Sequence, residues 1–190
     1  MNRVNVTLLI LMILTSPWRA VSQDPAFPEK DRKVTTVYNE KTDTTVVRFG
    51  PMHVINFKTG SPFSYAIEDG ELRLSAFFTY KGKTFVKPQS IGLIFVSVNA
   101  PSNRWELSKQ KDFEIAADQA HWDIPNVQVV DSKNGNNLVI DSLGVSIPCE
   151  TFATIANSKK IKLRLGDRRF DLTKEQSATL RDLAGRAGCQ

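Results

Sequence analysis

Lys160, Lys162 and Arg164 alternate with Ile161, Leu163 and Leu165. Residues two apart on a strand share a face, so this spacing sets three cations on one side and three aliphatic side chains on the other. Gly166-Asp167 reads as a turn into Phe170 and Leu172, which carries Arg169 back onto the cationic face; Lys159 and Arg168 stand near its ends. Four to six cations spread over about 20 Å of strand make a positive patch. Such a patch attracts phosphate, lipid headgroups or acidic glycans. Lys160, Lys162, Arg164 and Arg169 are therefore the anion-binding candidates. Asp167 and Asp171 dilute the field, and alternating lysines also keep exposed edge strands from aggregating.

The other reactive residue types form no recognised constellation. His121-Trp122-Asp123 places an imidazole and a carboxylate two residues apart, so on a strand they share a face, but no serine or cysteine nucleophile is coupled to them. Gly-x-Ser-x-Gly is absent, and Ser158-Lys159-Lys160-Ile161 does not supply a Ser-x-x-Lys pair. No His-Glu-x-x-His or Cys-x-x-Cys spacing marks a metal site, and no phosphate-cradling glycine motif marks a nucleotide. Asp131 to Asn137 resembles a calcium loop only superficially, with Lys133 where an oxygen ligand is needed. The expectation is no catalytic residue, no metal and no cofactor. Trp105 and Trp122, with Phe77, Phe78 and Tyr80, offer either a sugar-stacking platform or core aromatics; of the adjacent Phe77 and Phe78, one should point outward.

These residues sit in a chain that reads mostly as strands. Val34–Tyr38 and Thr44–Phe49 are β-branched runs around a polar loop, and Gly50-Pro51 ends the second run before His53–Phe57 resumes it. Glu71–Tyr80 puts Leu72, Leu74 and Ala76 on one face, then Lys81-Gly82-Lys83 turns into a short strand at Thr84-Phe85-Val86 that Pro88 stops. Ile91–Val98 is the most continuously apolar stretch of the mature chain, as suits a central strand covered on both sides. Asp112–Ala117 fits either a strand or a short helix. Asn134-Gly135 between Asn126–Val130 and Leu138–Val145 signals a hairpin.

From Pro148 the period changes. Phe152, Ile155 and Ala156 follow at helical spacing to about Ser158, and the basic hairpin comes next. Thr173-Lys174-Glu175-Gln176 fits a capping box for a helix carrying Leu180, Leu183, Ala184 and Ala187, ended by Gly185 or Gly188. The fold class implied is α+β: an antiparallel β-sandwich-like body over 34–147, then a helix–β-hairpin–helix unit over 148–187. Both belong to one domain, 34–190, after a flexible leader at 23–33.

The N-terminus sets the compartment. Arg3, an apolar run over Val4–Leu14, Pro17 and Ala20-Val21-Ser22 make the charge, core and small-residue pattern of a secretory signal peptide over 1–22, cleaved before Gln23. No later stretch is long and apolar enough to span a bilayer. Arg3 and Arg19 fall in the signal, so the net charge of +5 drops to +3 in the mature chain. That is too mild for a nucleic-acid partner. The two cysteines, Cys149 and Cys189, can pair in an oxidising compartment, closing a loop whose restriction stabilises by about 3–4 kcal/mol on the chain-entropy model.

The reading is a secreted or periplasmic, non-catalytic binding or accessory protein of the envelope or extracellular space, contacting an anionic lipid or glycan surface or another envelope protein. Two alternatives stand beside it: a small secreted hydrolase of unrecognised type, and an assembly component that adds a strand to another protein's sheet.

Overall fold

The computed structural model describes residues 33–57, 70–99, 107–125, 127–134 and 139–189. The signal segment 1–22, nearly all of the leader, Trp105 and the turn at 135–138 lie outside the described residues. The chain is α+β, built of two antiparallel sheets and two helices. Sheet A has the order β1 (Thr35–Asn39), β2 (Thr44–Phe57), β3 (Gly70–Lys81), β4 (Ser90–Asn99), β8 (Val139–Pro148), β7 (Gln128–Asn134). Sheet B has the order β10 (Arg168–Asp171), β9 (Ile161–Leu165), β5 (Phe113–Ala117), β6 (Ala120–Ile124). The helices are α1 (Cys149–Asn157) and α2 (Lys174–Arg186).

Period-two alternation makes the core. Leu72, Leu74, Ala76 and Phe78 on β3, and Ile91, Leu93 and Phe95 on β4, are buried on one face of sheet A. Phe113, Ile115 and Ala117 on β5, with Ile161, Leu163 and Leu165 on β9, are buried on one face of sheet B. The two faces belong to one continuous apolar cluster, and Phe95 meets Phe113 edge-to-face at 5.0 Å across it. The helices pack on each other and lie against β2, β3, β4 and β8. Thr173 caps α2 as its sequence requires: Gln176 N–H donates to Thr173 Oγ1 (3.2 Å), and Thr173 N–H donates to Gln176 Oε1 (2.7 Å). Gly188, with φ +62°, follows the helix end, and the Cys149–Cys189 disulfide (Cα–Cα 5.2 Å) ties the tail to the first residue of α1.

Two strand expectations change, and one left open is decided. Gly50-Pro51 does not end a strand: β2 runs through it with a register shift between Phe49 and Met52, so the bend is absorbed inside the β2–β3 ladder. Thr84-Phe85-Val86 is not a strand. Both edges of β3 are already taken, by β2 and β4, so this segment has no ladder to join. Phe85 and Val86 remain 49% and 56% exposed, with the Phe85 ring edge-on to Tyr80 at 5.6 Å. Asp112–Ala117 resolves as strand β5.

The hairpin β9–β10 is more than an appendage. Its first strand pairs with β5, from Phe113 opposite Leu165 to Ala117 opposite Ile161. Half of sheet B therefore comes from the segment after Pro148. This pairing positions the candidate site.

Candidate anion-binding face

The registers of β10, β9, β5 and β6 set the outward residues of sheet B in rows. One row runs Arg169, Arg164, Glu114, Asp123; the next runs Asp171, Lys162, Ala116, His121. Strands lie about 4.8 Å apart, so each row spans about 14 Å. Ala116 alone has no reach beyond its methyl group, and its place in the middle of the second row opens a hollow. That hollow, of about 380 Å³, is lined by Lys162, Arg164, Arg169 and Asp171 on one side and by Glu114 and His121 on the other.

Three of the four sequence candidates meet at the hollow. Lys160 does not: it precedes β9, beside the β5–β6 turn, where the Asp118 carboxylate accepts from the backbone N–H groups of Lys160 (2.9 Å) and Lys159 (3.1 Å). Those two hydrogen bonds, Lys160 first, hold the Asp118 carboxyl below its ordinary range, with the nearby lysine charges adding to the effect. Arg168 lies one residue off the row and pairs with Leu165, so it takes the opposite parity to Arg169.

The face is polarised rather than uniformly basic. Arg164 makes a two-point ion pair with Glu114, Nε donating to Oε2 (2.6 Å) and Nη2 contacting Oε1, while its Nη1 donates to the Gly166 carbonyl (3.0 Å). Both partners are about three-quarters buried, so their geometry is fixed. Lys162 and Asp171 form a looser, exposed pair at 3.6 Å. Arg169 is exposed and has no acidic partner among the described residues. The net effect is a cationic rim at β9 and β10 facing a carboxylate rim at β5 and β6.

His121 and Asp123 share a face as their spacing requires, with His121 Nε2 at 3.3 Å from Asp123 Oδ1. Glu114 Oε2 stands 3.8 Å from the same nitrogen. Glu114 escaped the sequence reading because its neighbours come from β6 and from a strand 50 residues later; only the sheet register brings them together. A ligand atom from each of Glu114, His121 and Asp123 lies within 4.8 Å of the others.

The remaining sequence candidates fall elsewhere. Phe78 is buried and Phe77 points outward over Gly92, where an added Cβ would stand 2.7 Å from the Phe77 ring. Trp122 packs against the core from its edge, and with Phe77 and Phe78 it lines a second hollow of about 950 Å³. Lys133 bonds to Asp131 at 2.8 Å and lowers its carboxyl, occupying the place a calcium ligand would need. Asp141 carried no signal in the sequence, yet it is fully buried. Ser132 Oγ donates to its Oδ1 (2.6 Å), and Ser108 donates to its Oδ2 from Oγ (3.4 Å) and N (3.5 Å). It therefore pins the 3₁₀ turn at Leu107–Lys109 to β8.

Compared with known proteins, the chain matches no family model, no curated protein and no solved structure.

Proposed function

We propose that this chain is an exported, non-catalytic binding protein that holds an anionic group on the outer face of sheet B. The observation that carries the reading is the hollow over Ala116 with Lys162, Arg164 and Arg169 on one rim. Its volume of about 380 Å³ lies at the small end of ligand sites, which suits a carboxylated or phosphorylated sugar unit or a lipid headgroup. Arg169, with no acidic partner among the described residues, gives the first contact; Arg164, already aimed by Glu114 and Gly166, loses little freedom on binding. Export is supported by the N-terminal charge and apolar pattern and by the Cys149–Cys189 disulfide, a bond that persists in oxidising compartments.

The test is calorimetric titration of the exported protein with glucuronate and, separately, with phosphatidylglycerol vesicles, at low and at physiological salt. Saturable binding to one probe, weakened by salt and lost in the Lys162→Gln/Arg169→Gln double variant, supports the reading. Binding that survives the double variant removes the hollow from consideration.

A second reading has its own observation. The edge strand β1, Thr35-Thr36-Val37-Tyr38-Asn39, carries no charge, and Val37 is half exposed. An uncharged edge favours strand addition by a partner. Its length of five residues limits how much ladder a partner gains.

A further inference from the structure

We propose that Glu114, His121 and Asp123 form a binding site for a divalent transition-metal ion of the zinc class, with an open coordination position facing the hollow. His121 and Asp123 are two apart on β6, and Glu114 stands opposite Asp123 on β5. All three therefore project from one face of two paired strands, converging without any loop having to fold around the ion. A four-coordinate ion with bonds of about 2.0–2.2 Å holds its ligand atoms about 3.3–3.6 Å apart. The separations His121 Nε2–Asp123 Oδ1 of 3.3 Å and His121 Nε2–Glu114 Oε2 of 3.8 Å already approach that spacing. His121 and Asp123 are 53% and 82% exposed, so closing the remaining gap moves side chains and leaves the core alone.

The donor chemistry narrows the ion. One imidazole nitrogen with two carboxylate oxygens suits zinc and its neighbours better than calcium or magnesium, which take oxygen-only shells. With the Arg164 guanidinium already on Glu114, the two carboxylates leave the filled site with a net charge of +1, which an incoming anion would offset. Arg164 orients Glu114 through Nε and Nη2, and a carboxylate has lone pairs enough to accept that pair and still coordinate through Oε2. Three protein ligands leave one position free, and Glu114 and His121 both line the hollow, so that position opens toward Lys162 and Arg169. An anion in the hollow then has two anchors, the ion on one side and the cationic rim on the other. This last step rests on the anion-binding reading above, whereas the metal site stands without it.

The experiment is calorimetric titration of zinc into the exported protein, purified without a histidine tag, followed by glucuronate titration with and without zinc. The expected result is one saturable zinc site per chain. His121→Ala and Asp123→Asn should each weaken it by about 10-fold or more, with the metal-free melting temperature unchanged. Lys174→Gln, on α2, which packs against β2 and β3, should leave zinc affinity within about 2-fold of the parent. Zinc should raise glucuronate affinity. No saturable zinc binding, or equal affinity in His121→Ala, overturns the site. Zinc binding with glucuronate affinity unmoved overturns the open position. Zinc binding in a protein that takes no glucuronate at all upholds the metal site and counts against the anion reading alone.

Discussion

On sheet B the outward positions hold charged side chains around Ala116, whereas on sheet A the outward positions of β4 and β8 hold Gly92, Ile94, Gly144 and Ser146 beneath Phe77 and Val130. Both faces obey the same period-two rule, and both back onto the same core. They differ in what lines the space above the strands. On sheet A, Phe77 and Val130 lie against the two glycines and wall a hollow of about 950 Å³ whose lining, with Ile94, Trp122 and Gln128, includes no cation among the described residues. On sheet B, the flanking side chains are ionic and pair sideways, Arg164 with Glu114 and Lys162 with Asp171, which leaves the gap over Ala116 open. Small residues open a hollow on both faces, and the ionic neighbours on sheet B give that hollow alone a cationic rim.

The comparison can be broken from beneath. Phe95 is fully buried and touches Phe113 on the facing sheet, so Phe95→Ala should cost about 3–5 kcal/mol in denaturant unfolding and loosen both outer faces together. A smaller loss means the sheets do not share their core there. Asp141→Ala removes the buried acceptor of Ser132 and Ser108 and should cost about 1–3 kcal/mol, with the damage confined to the β7–β8 end of sheet A.

Asp118 gives the matching test on sheet B. Its folded carboxyl is held low by N–H donors from Lys160 and Lys159, so its stabilisation is present above the unfolded carboxylate value of about 3.9 and is lost as pH falls through the folded value. The melting-temperature gap between the parent and Asp118→Asn should therefore be widest near neutrality and close as the pH drops into the acid range. A gap independent of pH would mean the ionised carboxylate contributes nothing. The mildest change in stability is expected from Ala116→Leu, within about 1 kcal/mol of the parent, because the added atoms enter the open hollow. Its effect on anion binding should nevertheless be complete.

How far the sequence disclosed all this follows from the range of the interactions. Local patterns were readable: the capping box at Thr173 and Gln176, the alternating apolar positions of β3 and β9, and the cationic face of Lys162 and Arg164. Each is settled within a few residues. Thr84-Phe85-Val86 has strand-forming side chains but no free sheet edge beside it, and edge availability is a property of the whole topology. The pairing of β9 with β5 places Glu114 against Arg164 across 50 residues, and no local spacing encodes that register. Asp141 sits in an apolar run where a carboxylate looks like a misfit until its two serine donors are seen.

Anion binding in the hollow over Ala116, through Lys162, Arg164 and Arg169, is the proposal on which the functional reading depends. Its most direct test is the glucuronate titration of the parent beside Lys162→Gln/Arg169→Gln, each at low and at physiological salt. Binding in the parent should weaken as salt rises and disappear in the variant, whose stability should stay within about 0.5 kcal/mol of the parent's. Equal binding by the two proteins, at either salt, would contradict it.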